Sequence, residues 1–353
     1  MLNYSKVHNR FKYNGFHYSR ENLKHLGTSL IKEGSDFDAQ IGAFILDWID
    51  NKSFVVVNSS GSTGIPKSIR VLKSHMLNSA IATGDFFKLC PGDKALMCLP
   101  ANYIAGKMMV VRAIILGLEL DVISPSLDDL NCNEYYSFAA VVPLQLEKLT
   151  NFPHNIKTII VGGAQVSKRI KQKLFNSKCE IFETYGMTET VSHVAVRNLK
   201  TKLNLHNNPF KVLPDVKISK DENNCLVIEA SHLASKKIVT NDIVNLISKT
   251  SFNLLGRVDN IINSGGIKLN PELIEQKLSL VIENRYFISS EPNKILGSQV
   301  VLIIESKNKT ETIDFSVLDK YEIPKTIYYL EAFAETNNGK LDRSATYKLL
   351  KNR

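Results

Sequence analysis

The chain has 353 residues, 44% of them hydrophobic, and carries a formal net charge of +9. That length and apolar fraction exclude a disordered segment and allow two or three domains with sizeable cores. Its five cysteines, Cys90, Cys98, Cys132, Cys179 and Cys225, form no C-x-x-C pair, which argues against a disulfide framework or a zinc site and fits a reducing cytoplasm.

In chain order, Met1–Lys6 has no apolar core of a secretory signal. Phe54–Asn58 reads as a strand. It runs into Ser59, Ser60, Gly61, Ser62, Thr63, Gly64, Ile65, Pro66 and Lys67, a loop that offers backbone N–H groups, hydroxyls and a cation to the oxygens of a polyphosphate. It is not a P-loop, which needs Gly directly before the Lys, because Pro66 has no N–H to donate. Ser74 is the expected N-cap of a helix reaching Phe86, followed by a strand Ala95–Leu99 and an apolar helix Ala105–Leu116. The run Met108–Leu118 is interrupted by Arg112 and too short to span a bilayer. Short buried strands are expected at Leu120–Ile123, Ala139–Val142 and Thr158–Val161, the last turning at Gly162-Gly163 before a charged helix Ser167–Phe175. Cys179–Phe182 is another strand. This alternation predicts an α/β fold with a mostly parallel sheet covered by helices, and ligands at the strand C-termini.

From about residue 210 to 258 the strands shorten and alternate, as at Leu226–Glu229, and a small β subdomain is expected. After Asp259 come a helix Pro271–Ser279, strands Arg285–Ser289 and Gln299–Glu305, a helix near Ser316–Tyr321 and a strand Thr326–Leu330. The expected organisation is therefore a large N-terminal domain, 1–258, and a small α+β domain, 259–353. Lysines are scattered and no aromatic-interleaved basic stripe marks a nucleic-acid surface. The positive field suits anionic small molecules instead.

The order Ser-Gly-Ser-Thr-Gly-x-Pro-Lys resembles the phosphate loop of the adenylate-forming superfamily of acyl-CoA synthetases and adenylation domains. Three more segments match that superfamily in the same order: Glu183–Thr190, Gly256–Lys268 closed by Pro271–Glu275, and Asn338–Arg343. The resemblance implies ATP, Mg²⁺ and CoA as small-molecule partners. It implies that Ser59 to Gly64, Lys67, Gly163, Ala164, Tyr185 and Gly186 bind the nucleotide, with Ser60 to Thr63 and Lys67 on the β- and γ-phosphates and the Tyr185 ring against adenine, and that Thr188 contacts the α-phosphate. Glu189 would hold the metal ion. Asp242, in a Thr240-Asn241-Asp242 stretch where the superfamily has Thr-Gly-Asp, would accept the ribose hydroxyls with Arg257 as partner. Asp259 would be the hinge about which the small domain swings, first bringing in Lys340 for adenylation, then presenting Gly265, Gly266 and Lys268 to the thiol arm of CoA.

The acid pocket is expected from Tyr103, Ile104, Gly106, Lys107 and Arg112, with Gly162. Relatives commonly have His at the position of Tyr103. Lys107 and Arg112 are five residues apart and do not stack on one helix face, yet either could reach a second carboxylate; a solvated lysine and a snorkelling arginine is the structural alternative. Only about 58 residues precede the phosphate loop, fewer than in relatives. A short chain with Phe11–Gly15, Asp47-Trp48, Tyr103–Lys107 and Asn263–Lys268 resembles the compact o-succinylbenzoate–CoA ligases, which implies acyl adenylation followed by transfer to CoA. Loading of another acid onto a carrier-protein thiol, or a nucleotide-binding relative without chemistry, would use the same segments, and a homodimer stays open.

Overall fold

Alternating apolar and helical stretches build the first of two units in this computed structural model. The structure describes residues 3–58, 68–151, 155–174, 177–200, 208–308, 313–335 and 341–351. One unit is Met1–Lys217 with Ile228–Ile238; the other is Ile218–Val227 with Val239–Arg353.

In the first unit the chain runs β1 (Lys12–Tyr13), β2 (Phe16–His17), α1 (Arg20–Glu33), α2 (Asp36–Ile49), β3 (Phe54–Asn58), β4 (Ser68–Leu72), α3 (Lys73–Phe87) and β5 (Lys94–Met97). It continues through α4 (Ile104–Leu116), β6 (Glu119–Val122), β7 (Tyr135–Val141), α5 (Pro143–Asn151), β8 (Asn155–Val161), α6 (Lys168–Leu174), β9 (Glu180–Gly186), β10 (His193–Asn198) and β11 (Phe210–Val212). Sheet order is β2-β1-β6-β5-β7-β8-β9-β10-β11. Every pairing from β1 to β9 is parallel, and both flanks close with antiparallel neighbours. The expected parallel sheet is present. Residues 138–141 show why helices cover both faces: Phe138 and Ala140 pack with the Met76, Met108 and Val111 side, Ala139 and Val141 with Leu146, Leu149 and Ile170. The chain leaves β5 through α4 to β6 on one side, then returns to β7 on the other. That reversal opens a crevice at the strand C-termini.

Three expectations need correction. First, β3 is not part of the parallel sheet: it pairs antiparallel with β4, from Phe54↔Leu72 to Asn58↔Ser68, as a sheet of its own. The Ser59–Lys67 loop therefore joins two strands of a hairpin, although its own residues lie outside the described ones. Second, α3 begins at Lys73 with Leu72 at its N-cap and no side-chain cap. Ser74 is inside the helix because the Lys73 amide is already held by Ser53 O at 2.9 Å. Third, the helix expected near Ser316–Tyr321 is a single 3₁₀ turn, Phe315–Val317; Asp314 caps Ser316 N, and Leu318 returns to extended backbone.

The N-terminal region folds as a helical hairpin. A capping box of Ser35 and Asp38 starts α2. Ile41, Phe44, Ile45 and Trp48 recur at helical spacing and are buried. The two helices cross closely because a Cβ at Gly42 would lie 2.5 Å from Gly27 O. Lys73, fully buried, ties the end of α2 to α3 by donating to Asp50 O (3.0 Å) and Asp50 Oδ1 (2.7 Å).

The remaining elements are β12 (Lys217–Lys220), β13 (Cys225–Glu229), β14 (Ile238–Ser248), β15 (Ser251–Arg257), β16 (Ile262–Ser264), β17 (Ile267–Leu269), α7 (Pro271–Leu278), β18 (Tyr286–Asn293), β19 (Gly297–Glu305), β20 (Thr326–Leu330) and α8 (Arg343–Lys351). In the second unit β14 and β15 form an antiparallel hairpin, and β17-β16-β19-β18 with β20 on β19 make a five-stranded sheet. Among the described residues no helix is long and apolar enough to cross a membrane.

Candidate active site

Tyr103, Gly162, Gly163 and Thr188 follow the C-terminal ends of β5, β8 and β9. Beyond β5 the chain turns through Pro100 into α4, with Tyr103 at the N-cap and its amide donating to Pro100 O at 3.3 Å. Gly106 is required there: a Cβ would stand 2.3 Å from Pro100 O. Beyond β8, Gly162 N donates to Val141 O at 3.1 Å, and Gly163 takes a φ of 89° that favours glycine. Thr184 Oγ1 donates to Val161 O at 3.0 Å, which joins the ends of β8 and β9. Tyr185 is buried against Phe210, ring centroids 5.9 Å apart. After Gly186 a 3₁₀ turn, Thr188–Thr190, leaves Thr188 half-buried and Glu189 exposed. Thr190 locks this turn by accepting from Met187 N at 2.9 Å and donating to Ser192 O at 2.7 Å.

Among the described residues no group of three His, Cys, Asp or Glu could cage a metal ion. A lone exposed Glu189 fits Mg²⁺, which keeps waters and takes one or two carboxylates with substrate phosphates. A cavity of about 580 Å³ opens elsewhere, at the N-terminal ends of β7 to β9, lined by Tyr135, Ile156 and Cys179 among others and by no motif residue. The phosphate-loop residues Ser59 to Lys67 lie outside the described residues. Their stem is the paired Asn58 and Ser68, with Ser68 Oγ donating to Asn58 Oδ1 at 2.8 Å.

Structure separates the two cations of α4. Lys107 faces α2, its ammonium 4.8 Å from the Phe44 ring centroid. Burial holds its pKa below the ordinary lysine value, partly offset by the charge of Asp47. Arg112 faces α3 and β10 and is 2% exposed, so it neither snorkels nor reaches solvent. Its Nε donates to Thr83 Oγ1 (3.3 Å), Nη2 to Ser192 Oγ (2.7 Å) and Nη1 to Met109 Sδ (3.7 Å). No carboxylate among the described residues lies within ion-pair distance of it. Burial lowers its pKa to about 10, which leaves it a cation at neutral pH.

Sequence reasoning missed His193 and Glu183. His193 is buried, and burial followed by the Arg112 charge pushes its imidazole down to about 3. Ser192 Oγ lies 3.2 Å from its Nδ1. Glu183 accepts from Arg197 Nε at 2.8 Å and from Val166 N at 3.2 Å, which pins the Gly162–Val166 loop to β9. The cross-strand register Arg197↔Glu183 creates that pair. Only the spacing of a hairpin could have hinted at it.

In the second unit the hairpin register pairs Asp242 with Arg257, and Arg257 Nη1 donates to Asp242 Oδ1 at 3.2 Å. Arg257 Nη2 also donates to Asp259 at 2.9 Å, and Asn241 Nδ2 reaches both Asp259 oxygens at 3.1 Å. These contacts, the Arg257 hydrogen bond foremost, hold the Asp259 carboxyl below its usual range. Gly265 and Gly266 form the two-residue turn of β16 and β17, with φ of 57° and 82°. Both positive angles give glycine a reason independent of any tunnel. Lys268 sits opposite Asn263 on that hairpin. Lys340 lies outside the described residues. Next to it, Asp342 starts α8 by accepting from Ala345 N at 2.8 Å. Arg343 grips Glu275 of α7 with both nitrogens, at 2.8 and 2.9 Å, so the third and fourth sequence motifs are joined.

The family model for AMP-binding enzymes matches residues 30–227, more than half the chain, and the chain belongs to that family. It is 25% identical over 340 residues to a 2-succinylbenzoate–CoA ligase of Listeria monocytogenes, covering 88% of this chain and 73% of that protein. It is 33% identical to an acyl-CoA synthetase (AMP-forming)/AMP-acid ligase II-like protein of Dyadobacter fermentans, with a TM-score of 0.59 and coverage of 93% and 98%. The o-succinylbenzoate coenzyme A synthetase of Bacillus subtilis, solved with ATP and magnesium, shares the fold at a TM-score of 0.69 and 20% identity, with coverage of 83% and 69%.

Proposed function

We propose that this protein is an AMP-forming acid–CoA ligase whose acid is 2-succinylbenzoate, an aromatic dicarboxylate. Family membership carries the coarser statement: an adenylate-forming ligase that uses ATP, Mg²⁺ and CoA. The observation that supports the particular acid is Arg112, a buried guanidinium with hydroxyl and thioether partners but no carboxylate among the described residues. An isolated buried charge is costly, and a substrate carboxylate would repay it with charge-assisted hydrogen bonds. A monocarboxylic acid has no second anion to offer once its own carboxylate is at the phosphate.

In the first half-reaction the reacting carboxylate attacks the α-phosphate and pyrophosphate leaves. Attacker and target are both anions, so positive groups must offset their repulsion. Ser59 to Gly64 and Lys67 would bind the β- and γ-phosphates and Thr188 the α-phosphate. Mg²⁺ held at Glu189 would neutralise phosphate charge. Asp242, oriented by Arg257, would take the ribose hydroxyls. Lys340 would bring its ammonium to the carboxylate as the domain after Asp259 closes. Rotation about Asp259 would then bring Gly265 and Gly266 to the CoA arm for thioester formation. The boundary between the moving parts falls, in this reading, between residues 258 and 259.

The test is pyrophosphate release with ATP and Mg²⁺ over a panel of 2-succinylbenzoate, benzoates, fatty acids and amino acids, with and without CoA. CoA-dependent turnover confined to 2-succinylbenzoate, lost in Lys340→Ala, is expected. Turnover with a different acid would discard the assignment of the substrate.

A further inference from the structure

Beside Arg112, the Nε2 atom of His193 is buried without a hydrogen-bond partner among the described residues. A guanidinium only donates. The 2.7 Å contact from Arg112 Nη2 therefore uses one lone pair of Ser192 Oγ, and the Ser192 hydroxyl can turn its own proton toward His193 Nδ1, 3.2 Å away. Thr83 behaves alike: it accepts from Arg112 Nε and passes its own proton to Ser79 O at 2.8 Å. With Nδ1 accepting, the neutral imidazole of His193 carries its proton on Nε2. That nitrogen is sealed from solvent and has no hydrogen-bond partner among the described residues. Buried donors are rarely left so.

The surroundings indicate what would accept the proton. Phe87 stands 6.2 Å from the His193 ring and 5.2 Å from Phe182, so aromatic rings pack beside the imidazole. Arg112 supplies one positive charge, and a neutral imidazole adds a donor without a second charge. The set matches an aromatic acid that brings one carboxylate and one more acceptor oxygen.

We infer that His193 is a specificity-determining residue of the acid pocket, its Nε2–H donating to an oxygen of the acid whose second carboxylate Arg112 holds. Ser192 is the positioning residue that selects the tautomer. The inference rests on the acid pocket proposed above but names a different residue and a different bond.

The experiment compares wild type with His193→Phe, which keeps a ring and loses the donor, and His193→Gln, which keeps a donor. Kinetics are taken with 2-succinylbenzoate and with 4-oxo-4-phenylbutanoate, the same acid without its ring carboxylate. His193→Phe should raise the KM for 2-succinylbenzoate about tenfold, the weight of one hydrogen bond, with the KM for ATP unchanged. His193→Gln should recover most of that loss. In wild type, two-bond ¹H–¹⁵N spectra should show the Nε2–H tautomer, and its proton should shift when 2-succinylbenzoate and AMP are added. An unchanged acid KM in His193→Phe, an Nδ1–H tautomer, or a resonance blind to the acid would overturn the inference and assign the donor to an internal water. If His193→Phe fails to fold, His193→Gln and the spectra still decide. A raised KM for 2-succinylbenzoate in Arg112→Met but not in His193→Phe would keep the proposed function and reject the role of His193. If wild type prefers another acid, the proposed function fails, and the same comparison with that acid judges His193.

Discussion

Acidification should weaken the first unit through His193, and by a margin that two substitutions remove. The folded imidazole is held to about 3, by burial first and by Arg112 second, whereas an unfolded imidazole titrates near about 6.5. The unfolded chain therefore takes up the proton first. Stability from this group is complete above the unfolded value and is lost as pH falls from there toward the folded value. At pH 5 the unfolded state gains about 2 kcal/mol from protonation, against roughly 0.1 kcal/mol at pH 7.5. That size depends on the unfolded pKa alone, provided the folded one is well below pH 5. Burial leaves the ring 6% exposed, so solvent screening does not reduce it. His75 and His232 are also depressed by burial, but they are common to all variants and cancel in the difference. Urea unfolding followed by the single tryptophan, Trp48, buried in the same unit, reads the effect. Wild type should lose about 2 kcal/mol more than His193→Phe or His193→Gln between pH 7.5 and 5. Parallel stability curves would refute the reasoning, since they would mean a protonated or solvent-open imidazole in the folded protein.

Arg112→Met should leave stability unchanged or slightly raised, because an uncompensated buried charge is removed. It should also lower kcat/KM for 2-succinylbenzoate about 100-fold, the loss of a charge-assisted pair of about 3 kcal/mol, while 4-oxo-4-phenylbutanoate is little affected; equal losses for both acids would place Arg112 away from the substrate. Gly106→Ala puts a methyl group 2.3 Å from Pro100 O, so α4 must shift, at a cost of about 1–3 kcal/mol seen in urea unfolding and with a raised acid KM. Lys73→Met removes the partner of Asp50 at the junction of α2 and α3, and should cost about 2–3 kcal/mol with catalysis otherwise retained in thermally intact protein. In the second unit, Arg343→Ala strands the Glu275 carboxylate, whose pKa burial already raises against the pull of Arg343. Hydrogen exchange should speed up across α7 and α8 while the β5–β9 sheet stays protected, and uniform protection in both would reject the clamp.

Local pattern in the sequence was enough for strands β5 to β9 of the parallel sheet and for α4. Each rests on apolar runs of strand length or on helical spacing, which neighbours in sequence decide. The same is true of Gly106, Gly162 and Gly163, where crowding or a positive φ shows as a glycine. Local reading failed at β3, because an apolar run does not say which strand will pair with it, and at Ser74, because a backbone bond from Ser53 had already started the helix. Arg112 and Ser192 are 80 residues apart, and Arg343 and Glu275 are 68. Their meetings depend on strand order and helix crossing. The sequence by itself carried the resemblance to the adenylate-forming superfamily, since the motifs that carry it are contiguous segments of the chain. Tertiary structure alone decided which side chains lie buried without a counter-charge, because desolvation belongs to a place in the folded protein and not to a residue in the chain.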